Sequence, residues 1–100
     1  MSAFVALMLV DLHFPDAGSL KGKRKDLASV KAQLQGRLGV AVSEVEHQDL
    51  WQRSTLALAA TAGTHHGAEL AVDRVQRFLD PRFPQGFRME ATISSFQELL

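Results

Sequence analysis

The chain switches between two hydrophobic periods. Residues 3–13 (AFVALMLVDLH) are apolar at nearly every position until Asp11, which is the pattern of a central strand covered on both faces. Pro15, Asp16 and Gly18 end that run. From Ser19 onward Leu20, Leu27, Val30, Leu34 and Leu38 recur at the spacing of one helix face, with Ser19 placed to cap the helix and Gly39 to stop it. Residues 40–46 (VAVSEVE) and 53–62 (RSTLALAATA) read as two strands of a hairpin, joined by the polar and aromatic connection HQDLWQ at 47–52. Ala68, Ala71, Val72, Val75, Phe78 and Leu79 repeat the helical spacing until Pro81, and residues 87–96 (FRMEATISSF) alternate as a last strand.

The order βαββαβ with right-handed crossovers predicts an α+β, ferredoxin-like sandwich. Its four-stranded antiparallel sheet has strands one and three in the middle and both helices on one face. On the last strand Phe87, Met89, Ala91 and Ile93 are expected to face the helices, leaving Arg88, Glu90, Thr92 and Ser94 on the open face. On the third strand Leu56 and Leu58 point inward, and Arg53, Thr55, Ala57 and Ala59 point out. Asp11 and His13 set the phase of the first strand and place Val5, Leu7 and Leu9 on the open face. Such an apolar patch calls for a cover, and a homodimer through the open sheet face is the expected one.

Length and composition narrow the class. One hundred residues with 46% hydrophobic content make a single domain spanning residues 1–100. With no cysteine there is no disulfide framework and no thiolate zinc site, which points to a reducing, cytoplasmic location. The apolar run Phe4 to Val10 is too short for a membrane span and lacks a basic leader, so no membrane partner is expected. The formal net charge is zero but unevenly spread. Residues 1–40 hold six Lys or Arg against Asp11, Asp16 and Asp26, whereas residues 41–52 hold Glu44, Glu46 and Asp49 with no Lys or Arg. Anion binding must therefore be local.

Two stretches carry candidate chemistry. Lys21, Lys23, Arg24 and Lys25 crowd the opening turns of helix one, where cations oppose the helix dipole at about 0.3–1 kcal/mol each. A bound phosphate or carboxylate would offset that cost; the alternative is a solvated basic turn eased by Asp16 and Asp26. Gly22 stands where a Glu would close a capping box with Ser19. The second stretch, Glu46 to Arg53, brings His47, Gln48, Asp49, Trp51 and Arg53 into one hairpin. Trp51 could cap the core while Asp49 and Gln52 satisfy the turn; alternatively, an aromatic plane beside Arg53 could stack on a base or anchor a protein contact. The predicted topology puts Asp11, His13, Arg53, Arg88 and Glu90 at the same end as the basic turn.

Other chemistries are weakly supported. His65 and His66 are adjacent and so diverge on a helix, unlike an i, i+4 metal pair. His13, His47, Asp11, Glu44 and Glu46 have no diagnostic metal spacing, and no metal or cofactor is expected. A small-anion site using Asp11, His13, His47 and Asp49, with hydrolytic activity, is the alternative to a binding module. No glycine-rich phosphate loop or nucleophile elbow occurs, so a non-enzymatic role is favoured. The two central strands lack the paired aromatics of RNA-recognition domains, and HFPDAGSLK lacks the arginine of acylphosphatases.

Two segments nevertheless resemble a known family over nearly the whole chain. SLKGKRK at 19–25 is similar to the SLKEKR signature of the YlxP-like family of bacterial proteins, and EVEHQDLWQRSTLALA at 44–59 is similar to its EV-D-hQDLWQRA-L segment. Gly22 departs from the Glu usual at that place. The resemblance implies a ferredoxin-like fold without an established activity. It also implies, through the proximity of family members to translation and ribosome-maturation factors such as ribosome-binding factor A, an RNA or ribosome partner.

Overall fold

A computed structural model describes residues 1–100. The elements are β1 (Phe4–His13), α1 (Leu20–Leu38), β2 (Ala41–Glu46), β3 (Arg53–Ala62), α2 (His65–Leu79), β4 (Arg88–Ser95) and α3 (Phe96–Leu99). The strands form one antiparallel four-stranded sheet in the order β2-β3-β1-β4, the ferredoxin-like arrangement expected from the sequence. No helix is long and apolar enough to cross a membrane.

Local chemistry sets the helix ends where expected. The Ser19 hydroxyl accepts from the Gly22 amide at 3.0 Å, and Gly39 closes α1 in the left-handed region at φ 67°, which glycine adopts without a Cβ penalty. Thr64 caps α2 in the same way, accepting from the Gly67 amide at 2.9 Å, so this helix starts at His65, three residues before the first apolar position of its stripe. The alternation over 87–96 predicts a last strand that runs on through Phe96. Instead the chain turns at Ser95 into the short α3, because Ser95 and Glu98 form a reciprocal capping box.

The core lies between the sheet and the two long helices. Ala6, Met8, Val10 and Leu12 of β1 and Leu56 and Leu58 of β3 are buried against Leu27, Val30 and Leu34 of α1 and Ala68, Val75 and Leu79 of α2. The alternation of β1 therefore has the predicted phase, and Leu7 and Leu9 stand 46% and 45% exposed on the open face. Ala91 is a correction in part. It pairs with Met8 and so belongs to the helix-facing row, yet it is exposed, because it sits on an edge strand at the rim of the hollow beside α2. Thr55 is the converse: it lies on the open face but is buried.

Candidate functional site at the hairpin end

The β2–β3 hairpin, the end of β1 and the start of α1 meet at one end of the sandwich. Two polar networks build this end, one on each side of the sheet. On the helix side, Lys23 does not join a cluster of exposed cations. It turns inward and is 0% exposed. Its ammonium donates to the carbonyl of His47 at 2.6 Å and to that of Gln48 at 3.4 Å, and it pairs with the Glu44 carboxylate at 3.2 Å. Glu44 also accepts from the buried Ser54 hydroxyl at 2.6 Å. A buried cation is tolerated only when paired and hydrogen-bonded, and these partners meet that condition. The four-cation turn read from the sequence thus reduces to three exposed cations, Lys21, Arg24 and Lys25. None of the three is ion-paired within the chain.

On the open side, the Thr55 hydroxyl donates to Asp11 Oδ1 at 2.5 Å, and His47 Nδ1 lies 2.9 Å from the same hydroxyl. A hydroxyl has one proton, and here it is committed to a carboxylate that, when ionised, can only accept. His47 must therefore donate from Nδ1, which leaves Nε2 as the acceptor of the neutral ring. Arg53 approaches Asp11 at 3.7 Å, and its Nε is buried without a partner. Arg88 pairs in register with Asp11, and Glu90 with Leu9, so these two charges flank the same side of the face. They line, with Val45 and Glu46, a depression of about 180 Å³.

Two backbone irregularities aim these groups. A register shift between Glu44 and Glu46 inserts an extra residue opposite Thr55, which brings both Val45 and Glu46 to the open-face depression. His47 follows in the left-handed region at φ 64°, unusual for a residue with a Cβ. That conformation lets its carbonyl reach Lys23 on one side of the sheet while its ring reaches Thr55 on the other.

The remaining sequence candidates divide clearly. Trp51 does not cap the core; it is 53% exposed at the hairpin tip, next to Leu50 at 47%. Trp51, Leu50, Asp49, Gln52, Arg53 and His13 line a shallow hollow of about 560 Å³. Gln52 ties the tip to the β1–α1 loop: its side-chain amide donates to the Pro15 carbonyl at 3.2 Å, and its own carbonyl accepts from the Phe14 amide at 2.9 Å. The Gln48 side chain donates to the Glu44 carbonyl at 3.4 Å. Asp11, Arg53, Arg88 and Glu90 do converge at the end that holds the basic turn, but across the sheet from it. No three His, Asp or Glu side chains come together as a metal site, since Glu44 faces the helices while Asp11 and Glu46 face outward. Sequence reasoning missed Ser54 and Thr55, the two hydroxyls that tie the networks together. Adjacent hydroxyls at the start of a mostly apolar strand were the available signal.

Fold and site together define a ferredoxin-like α+β domain with a braced, aromatic-tipped hairpin at one end. Residues 5–90 match the family described as "Protein of unknown function (DUF503)", and the chain belongs to that family. It is 38% identical over 79 residues to the uncharacterized protein YlxP of Bacillus subtilis (strain 168), covering 79% of this chain and 82% of that protein. The YlxP-like resemblance of the two signature segments is thereby confirmed.

Among solved structures, the de novo designed protein Foldit4 superimposes with a TM-score of 0.58 at 12% identity, covering 92% of this chain and 96% of that one. The VAO-type flavoprotein MtVAO713 from Myceliophthora thermophila C1 gives a TM-score of 0.53 at 18% identity, covering 97% of this chain and 18% of the flavoprotein. At such identities both comparisons speak to the fold alone, which hosts many unrelated functions.

Proposed function

We propose that this domain is a non-enzymatic, cytoplasmic binding module linked to translation or ribosome maturation, and that it engages single-stranded RNA with its hairpin end. The observation that carries this reading is the exposed Trp51 on a hairpin whose base is braced by Lys23. An isolated aromatic held in solvent by a fixed scaffold contributes little to the core, whereas stacking it on a base is worth about 1–3 kcal/mol. Arg53 stands beside it, and Lys21, Arg24 and Lys25 lie unpaired on the adjoining turns of α1, where phosphates would find both cations and a helix N-terminus. The zero net charge fits local recognition rather than a generally basic surface.

Trp51 is the only tryptophan, so its fluorescence reports directly on the proposed contact. Titration with single-stranded RNA oligonucleotides is expected to quench it, with an affinity that falls as salt rises. Trp51→Ala should weaken binding at least tenfold, measured by anisotropy of a labelled RNA. Unchanged fluorescence and anisotropy at every salt concentration would rule the reading out. Capture of a partner from lysate that survives nuclease treatment would redirect it to a protein.

One observation favours a second reading, a small-anion site with hydrolytic activity. Asp11, Thr55 and His47 are ordered as an acid–base relay that leaves Nε2 of His47 available as a proton acceptor, with Arg53 next to it. Asp49, at the hairpin tip, is not part of this chain of contacts. Turnover of a chromogenic phosphoester by the wild type but not by His47→Gln would support this reading over the first.

A further inference from the structure

We infer that two copies of this chain pack through the open faces of their sheets, about a two-fold axis that runs parallel to the strands between β1 and β3. The pairing registers lay the open face out in rows, read from β2 to β4. One row is Glu46, Thr55, Asp11 and Arg88. The next is Ser43, Ala57, Leu9 and Glu90, and the one beyond is Ala41, Ala59, Leu7 and Thr92. Both middle positions of the last two rows are thus one large side chain on β1 beside one small side chain on β3.

A two-fold axis along the strands reverses each row and sets it against itself. Leu9 then lies over the partner's Ala57, and Leu7 over the partner's Ala59, so knobs meet holes across the interface. In the first row Arg88 meets the partner's Glu46, and Ser43 meets the partner's Glu90 in the second, so the rim pairs opposite charges and a donor with an acceptor. The other face-to-face two-fold axis, perpendicular to the strands, lacks both properties. It sets leucine on leucine and alanine on alanine, and opposes the charged row with Val5, Thr61 and Ser94. Shape and charge therefore select the same axis.

Four strands about 4.8 Å apart and four side-chain rows about 6.8 Å apart give a patch of roughly 500 Å² per copy, or about 1,000 Å² in all, the lower limit for a specific interface. Area alone does not set an affinity, so association is followed over a wide concentration range. The axis keeps strand direction, so the two hairpin tips lie at the same end of the dimer and offer two Trp51 surfaces side by side. The dimer itself does not depend on what those surfaces bind.

The test uses Glu46→Arg and Arg88→Glu, both at exposed positions, in sedimentation-equilibrium experiments from about 1 to about 500 µM. Each variant alone places like charges opposite one another twice per dimer, and each should dimerise at least tenfold more weakly than the wild type. In an equimolar mixture, one copy of each variant restores opposite charges at both rim contacts, and the mixture should recover wild-type association as a heterodimer. Circular dichroism of each variant checks that its fold is intact. A wild type that stays monomeric throughout, or a mixture that associates no better than the separate variants, would overturn the inference.

Discussion

The ammonium of Lys23 and the carbonyl oxygen of His47 lie 2.6 Å apart, and through this contact the first helix holds the hairpin in place. A lysine of the first helical turns thus acts as a buried strut: it satisfies a residue in the left-handed conformation and neutralises Glu44 behind it. Removing the cation leaves Glu44, only 19% exposed, uncompensated. Lys23→Met is expected to destabilise the domain by about 3 kcal/mol, since breaking a buried pair costs more than the pair contributed. Lys23→Met combined with Glu44→Gln should recover part of that loss. Urea denaturation of the two variants measures both effects, and an unchanged midpoint in the single variant would contradict the strut.

Thr55 offers a sharper test of the open-face network. Thr55→Val keeps the shape and deletes the hydroxyl that serves Asp11 and His47 together. A loss of about 1–3 kcal/mol is expected, because two partners lose their contact with a hydroxyl that is itself buried. In the wild type, ¹⁵N spectra of neutral His47 should show the proton on Nδ1. In Thr55→Val this preference should disappear.

The exposed cations of α1 predict the opposite balance of stability and binding. Replacing Lys21, Arg24 and Lys25 with Gln removes no internal contact, and it relieves the dipole conflict by a few tenths to about 1 kcal/mol, chiefly at Lys21. The melting temperature should hold or rise slightly. RNA binding should weaken, and the slope of log K against log salt should become shallower by up to about three units. Equal slopes for variant and wild type would mean that these cations touch no phosphate.

At the C-terminus, the Ser95 backbone amide and then its hydroxyl hold the Glu98 carboxyl below its ordinary value of 4.5, with a smaller contribution from His65. A depressed folded-state pKa contributes stability above the unfolded value, and that contribution disappears as pH falls through the folded one. The turn of α3 should therefore be intact at neutral pH and fray below about pH 4.5. Amide exchange at Glu98 and Leu99, followed by NMR across that window, checks the direction. Glu98→Gln should make the protection factor there, the slowing relative to an unstructured chain at the same pH, nearly independent of pH.

Much of this architecture was legible because local and global signals agreed. Ser19 and Gly39 bracket one apolar stripe, and Asp11 with His13 fixed which side of β1 meets the helices. The topology brought Asp11, Arg53 and Arg88 to one end, and the strand phases already set them on the open face, across the sheet from the basic turn of α1. Lys23 was misleading for a physical reason. Its spacing, three residues after Leu20 and four before Leu27, sets it on the helix-facing stripe, unlike Lys21 or Lys25; but its partners, Glu44 and the His47 carbonyl, lie more than twenty residues away, and only packing of α1 on the hairpin brings them close. The bulge before His47 was equally hidden, since an extra residue in a strand changes no residue type.

That bulge bears on solubility. Strand β2 is at the margin of the sheet, where unpaired backbone groups could template addition of another chain. Only six residues long, it loses its regular pairing at Val45, and carries Glu44 and Glu46 on either side of that point. An incoming strand would meet a broken hydrogen-bonding ladder and the exposed Glu46 carboxylate. The distortion that aims the hairpin also keeps this border of the sheet from growing into an aggregate.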